Sequence, residues 1–438
     1  MVLLIPFLGA LIFLLTGINR RKLKFLELKE IKRRKKRNKY SFHKEHFERS
    51  SQLGSLKAKK ISRLAYSNTF KPLQFNNDVT VLNNGKETFK MMYEALEKAQ
   101  SFIHMQYYII EEGEVLENMY KIFQRKRNEG VEIRILYDTL GSFSLKNSTK
   151  KRLRNIGVEI YPIMPLKWGK FLFTINYRNH RKICVVDNQI AFTGGVNISN
   201  NYIKKDSELG IWQDAHVAIK GPAVNSVHTT FLEDYFFATS HDIADEDRYN
   251  EIPEGQGNSK VQIIVGGPDS DESVVMQQYL SFINLAEKSI CIFNPYFIPT
   301  STIIEALKIA SLSGVKVSLL LPKATDSKIA TYSMYSYFEE LMSANINIYL
   351  RNDFSHSKVM FIDDEISSIG STNFDCRSFE HNYEMNALIF DEKIAQVLRE
   401  EFDLQCKNAT KLNLEKFKNR SNKQKTLERL SRFLSPLL

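Results

Sequence analysis

Two motifs of identical spacing hold the residues of this sequence that are best suited to chemistry. Each reads His-x-Lys-x4-Asp; the two consist of His180, Lys182 and Asp187, and of His356, Lys358 and Asp363. An imidazole can act as a nucleophile or carry a proton near neutral pH, and a nearby ammonium adds positive charge. A single match to so short a pattern has little weight, but two matches in one chain are a poor fit to chance.

The likeness of the two motifs continues beyond the aspartates. Gly194-Gly195-Val-Asn197 follows the first motif and Gly370-Ser371-Thr-Asn373 the second, so that each asparagine lies 17 residues after its histidine (197 − 180 and 373 − 356). This second coincidence strengthens the prediction that the two histidines and two lysines act together.

A carboxylate stands at the start of a further strand-like segment in each half. Asp214 opens Asp-Ala-His-Val-Ala-Ile-Lys-Gly221, and Glu384 opens Glu-Met-Asn-Ala-Leu-Ile-Phe-Asp391. A carboxylate beside an imidazole can hold the ring in one tautomer. We therefore expect Asp214 and Glu384 to orient the histidines, the alternative being surface ion pairs.

The elements that must position these residues form a repeat. A strand–helix–strand pattern occurs as Ser101–Ile110, a helix from Val115 to Phe123 and Val131–Leu136, and again as Ser289–Ile298, a helix from Ile303 and Val315–Leu321. Such units are typical of α/β folds. After each histidine, the alternation of side chains predicts a strand. Its inward side chains are Ile183 and Val185 in the first half, and Val359 and Phe361 in the second. The histidine and the lysine of each motif are predicted to lie on one face of the strand. The stretch from Asp245 to Lys260 has the composition of a linker. The sequence therefore predicts two similar mixed-sheet α/β halves.

Charge is concentrated near the beginning of the 438-residue chain. The net charge is +11, and residues 19–39 contribute 12 cations and 2 acids, or +10, which leaves +1 for the remainder. A nearly neutral body does not favour a nucleic-acid partner. Residues 1–18 contain no charged side chain, and the cations follow this run; that order favours a membrane anchor with a cytoplasmic body over a secretory signal peptide. Four widely separated cysteines predict neither disulfides nor a zinc site.

The duplicated motif with its trailing Gly-Gly-x-Asn and Gly-Ser-x-Asn resembles the phospholipase D superfamily and, within it, the bacterial cardiolipin synthases. The resemblance includes further segments: Asn83-Asn-Gly85, Gln106-Tyr-Tyr-Ile109, Asn176 to Lys182, Trp212-Gln-Asp214, Gly267-Pro-Asp269, Asn294-Pro-Tyr-Phe297, Asn373 to Ser378, Asn382-x-Glu384, and Arg432 to Leu438. It implies a two-half pseudo-dimer behind a membrane helix. Members usually begin with two membrane helices; one is expected in this sequence, and Pro6 to Arg20 resembles the second of the pair.

The resemblance also implies a phosphodiester chemistry that needs neither metal nor cofactor. One histidine, His180 by resemblance, attacks phosphorus and forms a phosphohistidine, while His356 protonates the departing alcohol; the residues alone do not decide which histidine does which. The lysines, with Asn197, Asn373 and Ser371, are expected to bind the phosphoryl oxygens. Asp187 and Asp363 complete the catalytic motif, although a role in shaping the turn after the strand fits them better.

The implied function is a cardiolipin synthase, a phosphatidyltransferase that converts two phosphatidylglycerol molecules into cardiolipin and glycerol at the bacterial cell membrane. The alternatives are a phospholipase D or phosphodiesterase hydrolase and, less favoured, a non-catalytic membrane scaffold. The corresponding organisation is a transmembrane anchor (1–18), a basic juxtamembrane segment (19–75), two halves (76–245 and 246–410) and an amphipathic tail (411–438). The tail and Pro165–Phe173 have the composition either of membrane-contacting or of core segments. The expected partners are phosphatidylglycerol and anionic lipids, and the oligomeric state is left open.

Overall fold

The structure is a computed structural model that describes residues 47–165, 177–204, 209–244, 246–270 and 272–435. The predicted membrane anchor (1–18) and nearly all of the aromatic segment 165–173 lie outside the described residues. None of the helices in these described ranges combines the length and the apolar character that crossing a bilayer requires.

The first half alternates strands and helices as the sequence predicts. Its elements are α1 (Leu56–Thr69), β1 (Gln74–Leu82), α2 (Gly85–Glu97), β2 (Phe102–Tyr107), α3 (Glu114–Asn128), β3 (Glu132–Asp138), α4 (Asn147–Asn155), β4 (Glu159–Ile163), β5 (Arg178–Asn179), β6 (Ile183–Val186), β7 (Ile190–Gly194), β8 (His216–Lys220), and α5 (Ala223–Thr239). In α3 the acids Glu114 and Glu117 occupy the first turn and three cations the last, which complements the helix dipole.

The second half repeats this order. Its elements are α6 (Asp247–Asn250), β9 (Ser259–Gly266), α7 (Val274–Leu285), β10 (Ser289–Phe293), α8 (Ser301–Leu312), β11 (Lys316–Pro322), α9 (Lys328–Tyr335), α10 (Phe338–Ser343), β12 (Asn347–Arg351), β13 (Val359–Ile362), β14 (Ile366–Gly370), α11 (Cys376–Glu380), β15 (Asn382–Phe390), α12 (Glu392–Lys407), β16 (Thr410–Lys411), α13 (Leu414–Lys418), and α14 (Asn422–Arg432).

The strands of the two halves follow mirrored orders. From the centre outward they run β1-β8-β7-β6-β2-β3-β4 in the first half and β9-β15-β14-β13-β10-β11-β12-β16 in the second, and antiparallel β1 and β9 join the halves. The neighbours β2, β3 and β4 are parallel, as are β10, β11 and β12, while the other neighbours on this path are antiparallel. The predicted mixed-sheet α/β architecture, present twice, is confirmed.

Three hydrophobic cores cover the sheet. One core lies under α2, α3 and α4 of the first half, and another lies under α1, α7, α8, α9 and α10 against the second half. The central core joins strands of both halves with α5 and α12. Ile183 and Val185 belong to the central core, as predicted, but Cys184 and Val186 are also buried, in the first core. The strand that carries the first motif is therefore covered on both faces, like the neighbouring parallel strands β2 and β3.

Helix α1 links the beginning of the described chain to the second half. Ser62 donates to Gln262 of β9 (2.7 Å), and Asn68 donates to Gln277 of α7 (2.8 Å). Residues 56–69 of the predicted juxtamembrane segment are thus part of the folded body.

Candidate active site

Both His-x-Lys motifs lie at the edge of the sheet where the parallel strands end. Antiparallel pairing places Ile183 of β6 opposite Gln106 of β2, and Val359 of β13 opposite Phe293 of β10. The residues before Ile183 and Val359 therefore continue past the carboxyl ends of β2 and β10. We call this edge, with the cleft between its two motifs, the catalytic edge.

Backbone pairing exchanges segments between the halves at this edge. The two-residue strand β5 pairs in parallel with the start of β15, and the His180 N–H donates to the Tyr383 carbonyl oxygen (2.9 Å). Symmetrically, the His356 N–H donates to the carbonyl oxygen of Gln213 (2.7 Å), whose own N–H donates to Phe354 (3.0 Å). Each histidine is thereby fixed to the segment of the other half that carries its predicted acid.

The His180 ring is held through Nδ1. This nitrogen lies 3.1 Å from the Glu384 carboxylate and 3.0 Å from the carbonyl oxygen of Ser371. Because both neighbours are acceptors, Nδ1 carries the proton and Nε2 keeps its lone pair. The Ser371 hydroxyl donates to the same carboxylate, which fixes the rotamer of Glu384.

The His356 ring is held in the same way by the first half. Its Nδ1 lies 2.8 Å from the Asp214 carboxylate and 3.3 Å from the Tyr202 hydroxyl. A Cβ atom at residue 195 would lie 2.0 Å from Asp214 Oδ1, so glycine at this position gives the carboxylate room to reach the ring. The predicted orienting acids therefore contact the histidines, and each acts across the junction of the halves.

Burial dominates the protonation of these groups. It lowers the pKa of His180 despite the opposing effect of Glu384, and burial together with Lys358 and Lys182 holds the pKa of His356 well below its usual value. Burial raises the pKa of Asp214 to about 6. Burial would also raise the pKa of Glu384, but His180 and Lys182 together hold it below its usual value. The two imidazoles are thus poised to be neutral near pH 7.

Lys182 and Lys358 lie between these groups. Each Nζ donates to the carbonyl oxygen of the histidine two residues earlier, with a distance of 2.7 Å for Lys182. Burial lowers the pKa of Lys182 to about 7 and that of Lys358 to about 8, and the charge of each lysine also depresses the pKa of His356. Two buried ammonium groups facing one cleft favour an anionic ligand there.

The predicted phosphate-binding residue Asn197 is connected to His356 through Tyr202. Asn197 accepts from the Ile109 N–H (3.2 Å), and its amide donates weakly to Tyr202 (3.4 Å). Asn373 is buried, and its Oδ1 has no hydrogen-bond partner among the described residues. The side-chain amides of Asn197 and Asn373 could therefore bind a ligand, and few existing hydrogen bonds would have to break.

Asp187 and Asp363 do not lie with the histidines. Each follows its strand at the opposite edge, about 16 Å from the motif lysine at ~3.3 Å per residue. Each carboxylate accepts from three consecutive backbone N–H groups, of residues 100–102 for Asp187 and of residues 287–289 for Asp363. Both have positive φ, as the first residue of a tight hairpin turn requires. This geometry fits the role of shaping the turn after the strand. It corrects the expectation that Asp187 and Asp363 belong to the catalytic residues that reach the reacting group.

Two buried residues of the site are absent from the sequence-based candidates: Tyr202, which contacts His356, and Arg181. Arg181, fully buried, bonds Asp234 of α5 (2.6 Å), the Gly266 carbonyl oxygen of β9 (3.1 Å) and the Glu384 carbonyl oxygen of β15 (3.2 Å). It therefore joins the first half to the strand that carries Glu384. In the sequence, the only local sign of this role is the position of Arg181 between His180 and Lys182. The second motif has a serine at the equivalent position.

Aromatic side chains enclose the histidines unequally. Tyr108 meets the His180 ring edge-on at 4.9 Å. The His356 ring is surrounded by four aromatic rings, with centroids at 5.5–6.5 Å: Tyr202, Trp212, Tyr296 and Phe354. These rings keep water away from the His356 imidazole, and this burial, with the charges of Lys358 and Lys182, lowers its pKa.

A duplicated mixed sheet in which each half contributes a His-x-Lys motif to one cleft defines a phospholipase D-like class of protein. Residues 92–234 and 279–405 match the family model described as "Cardiolipin synthase, PLD-like domain". The chain is 37% identical over 435 residues to a cardiolipin synthase of Geobacillus sp. (strain WCH70), covering 99% of this chain and 86% of the relative. It is 36% identical, with the same coverage, to a cardiolipin synthase of Halalkalibacterium halodurans.

The chain therefore belongs to the cardiolipin synthase family with phospholipase D-like domains. The predicted resemblance is confirmed, and so is the predicted enzyme class, a phosphatidyltransferase. In fold the chain is also similar to phosphatidylserine synthase of Haemophilus influenzae, with a TM-score of 0.66 and 16% identity over 86% of this chain and all of that one.

Proposed function

We propose that this protein makes cardiolipin by transferring a phosphatidyl group from one phosphatidylglycerol molecule to another, with release of glycerol. The names of its relatives supply the reaction class. The observation that carries the proposal is the cross-paired site. Each imidazole has Nδ1 held by a carboxylate and Nε2 without a hydrogen bond to any described residue, and two buried lysines lie beside them.

In the first step, His180 Nε2 attacks phosphorus and the bond from phosphorus to the glycerol oxygen breaks. His356 is neutral before substrate binds, but the anionic phosphodiester favours its protonated form once it is bound, and in that form His356 gives its proton to the departing glycerol. The product is a phosphatidyl group covalently bound to His180. Glu384 stabilises the positive charge that develops on the attacking ring, since its carboxylate accepts from Nδ1.

In the second step, neutral His356 accepts the proton of a hydroxyl group on a second phosphatidylglycerol. The resulting oxygen nucleophile attacks phosphorus, and the phosphorus–nitrogen bond breaks. Cardiolipin leaves, and both histidines return to their starting protonation. Asp214 supports this role because it stabilises the imidazolium through Nδ1.

The proposed phosphate-binding groups are Lys182, Lys358, Asn197 and Asn373. Ser371 was expected among them, but it donates its one hydroxyl proton to Glu384. A phosphodiester between the ammonium groups would favour their charged form and offset the burial that lowers their pKa. Charge also builds on the phosphoryl oxygens as phosphorus is attacked, so these donors stabilise the transition state more than the ground state.

The proposal includes the membrane setting expected from the sequence. Residues 1–18 form the anchor, residues 19–75 the basic juxtamembrane segment, and the halves at 76–245 and 246–410 form a cytoplasmic body followed by the 411–438 tail. A basic segment beside the anchor attracts anionic lipids at about 1 kcal/mol per cation near the surface. A lipid is then close to the site, and it accepts the phosphatidyl group in preference to water.

The direct test is a lipid product assay with detergent-solubilised full-length protein and phosphatidylglycerol. Equal amounts of cardiolipin and glycerol should form, and His180→Ala or His356→Ala should abolish both. Phosphatidic acid as the sole lipid product would show that water is the acceptor and would contradict the proposal. Circular dichroism of the variants verifies that they are folded.

A further inference from the structure

The two most exposed large apolar side chains of the described residues are both phenylalanines. Phe143 and Phe433 are each 84% exposed. An isolated exposed apolar residue needs no explanation, but two fully exposed phenyl rings at one edge of a protein indicate a contact with something apolar.

Phe143 lies at the catalytic edge of the first half. It belongs to the loop that follows β3, and the hydroxyl of its neighbour Ser142 donates to the Tyr108 carbonyl oxygen (3.0 Å). The Tyr108 ring in turn contacts His180. Ser142 and Tyr108, which contact each other, therefore connect Phe143 to His180.

The corresponding loop of the second half, after β11, borders His356. Tyr296, whose ring lies 6.2 Å from that of His356, donates its hydroxyl to Asp326 (2.7 Å). Asp326 directly precedes Ser327, the N-cap of α9. Ile329, in the first turn of α9, is exposed.

Helix α14 brings Phe433 to the same place. Ser435 is hydrogen-bonded to Ser333 of α9 (2.7 Å), and Arg432 lies near Ser336, so the two helices run antiparallel. Ser435, three residues beyond the end of α14, thus lies about 9 Å along the helix axis from Ser327, the N-cap of α9, at ~1.5 Å per residue.

The orientation of α14 is the reverse of that of an ordinary amphipathic surface helix. Its buried side chains are polar, Glu428 and Ser431, and Glu428 is paired with Arg420 (2.9 Å). Leu430, which lies three residues before Phe433, is exposed with it, and so is Leu434. Leu427 is half-buried, but a helix that buries its acid and exposes Leu430 beside Phe433 presents an apolar face to a partner.

The charge around this apolar face is positive. Within α14 the only acid is the buried Glu428, whereas four cations remain: Lys423, Lys425, Arg429 and Arg432. Lys323 and Lys328 are also exposed near Ile329 in the sequence. Two acids offset part of this charge, since Asp326 is exposed and Glu340 lies 3.5 Å from Arg432, but the cations outnumber them. An apolar face bordered by cations is the composition of helices that lie in the interface of an anionic membrane.

We infer that this rim of the cleft, consisting of Phe143 on one side and Ile329, Phe433 and Leu434 on the other, is the surface by which the body rests on an anionic phospholipid bilayer. The inference deepens the proposed function and rests on it. A phosphatidylglycerol headgroup then enters between the histidines while its acyl chains stay in the bilayer. The opposite edge also has exposed apolar residues, but the lysine next to Leu56, Lys57, is already paired with Glu287, Asp363 and Glu365, and Ile252 follows Glu251. Neither residue has the excess of cations that attracts an anionic surface.

The test uses full-length protein with a nitrobenzoxadiazole probe on a single introduced cysteine. The partly exposed Cys376 and Cys406 are first replaced by serine, since Cys184 and Cys291 are buried. Vesicles of phosphatidylglycerol and phosphatidylcholine carry a spin-labelled lipid as quencher. Probes at Phe143→Cys and Phe433→Cys should lose at least half of their fluorescence, and matched probes at Leu56→Cys and Ile252→Cys, which are 66% and 62% exposed, should lose none.

Equal quenching at all four positions, or none at residues 143 and 433, would overturn the inference. A probe at 143 or 433 that is shielded already in detergent would also overturn it, because a second copy or residues 1–46 would then cover the rim.

Activity separates this inference from the proposed function. The Phe143→Glu/Phe433→Glu variant should lose at least tenfold in kcat/KM on vesicle phosphatidylglycerol and retain its activity on monomeric dihexanoyl phosphatidylglycerol. The matched Leu56→Glu/Ile252→Glu variant should be unchanged on both. Equal losses in both variants would contradict the membrane surface. Absence of cardiolipin from the unsubstituted protein on either substrate would instead contradict the proposed function, and lipid quenching would then decide about the surface.

Discussion

Nδ1 of His180 lies 3.1 Å from the carboxylate of Glu384, a residue 204 positions further along the chain. The reciprocal contact joins His356 to Asp214, 142 positions earlier, at 2.8 Å. Each half therefore supplies the histidine that the other half orients. Neither half alone could hold an imidazole in the required tautomer, so the site depends on correct docking of the two halves.

The first prediction concerns these orienting acids. Glu384→Gln and Asp214→Asn remove the charge that stabilises each imidazolium, and we expect kcat to fall about 10²–10⁴-fold with little change in KM. Cardiolipin formation at saturating phosphatidylglycerol measures the effect. Glu392→Gln, an exposed acid at the start of α12, is the matched control and should stay within about twofold of the parent protein. A loss of less than about threefold in both site variants would refute the orienting role.

The second prediction separates turn shape from catalysis. Asp187→Asn and Asp363→Asn each leave one oxygen where two accept backbone N–H groups, so we expect a loss of about 1–3 kcal/mol in the free energy of unfolding with kcat retained. Asp363→Asn should cost more, because Asp363 also pairs with buried Lys57. Denaturant unfolding and the product assay are measured on the same preparations. If kcat fell as far as in His180→Ala while stability was unchanged, these aspartates would belong to the chemistry.

The third prediction concerns the buried pair of Arg181 and Asp234. Arg181→Met and Asp234→Asn should each lower the free energy of unfolding by about 3–5 kcal/mol. Each substitution leaves the remaining side chain buried without the opposite charge or the hydrogen bonds that it has in the pair. The double variant should be more stable than the sum of the single losses predicts, by at least ~1 kcal/mol. Strict additivity in denaturant unfolding would mean that the two side chains act independently.

The fourth prediction is a pH dependence set by the lysines. The pKa of Lys182 is about 7 and that of Lys358 about 8, so both ammonium groups lose their charge as the pH rises through this range. Substrate phosphate is then bound less well, and kcat/KM should fall between about pH 7 and 9, whereas kcat should fall only at higher pH, since bound phosphate raises both pKa values. Lys288→Gln, far from the site, should leave the profile unchanged. A kcat/KM that stays constant from pH 7 to 9.5 would contradict this.

Most of the local structure was predictable because local pattern determines it. The two strand–helix–strand units and the burial of Ile183 and Val185 follow from apolar periodicity. The predicted ends of two strands were wrong. The strand from residue 101 ends at Tyr107, since Tyr108 turns onto His180, and the strand from residue 289 ends at Phe293, before Asn294 and Pro295.

By itself the sequence determined the two motifs, the repeat that carries them, the candidate acids and the family, since each is written in residue types and spacings within a short stretch. Only the tertiary structure decided which acid meets which histidine, that Arg181 joins the halves, and that Asp187 and Asp363 lie at the opposite edge. The physical reason is that these contacts depend on sheet register and on the docking of the halves. Both are set by packing over the whole core, across separations of 50 to 200 residues, and local periodicity holds no information about them.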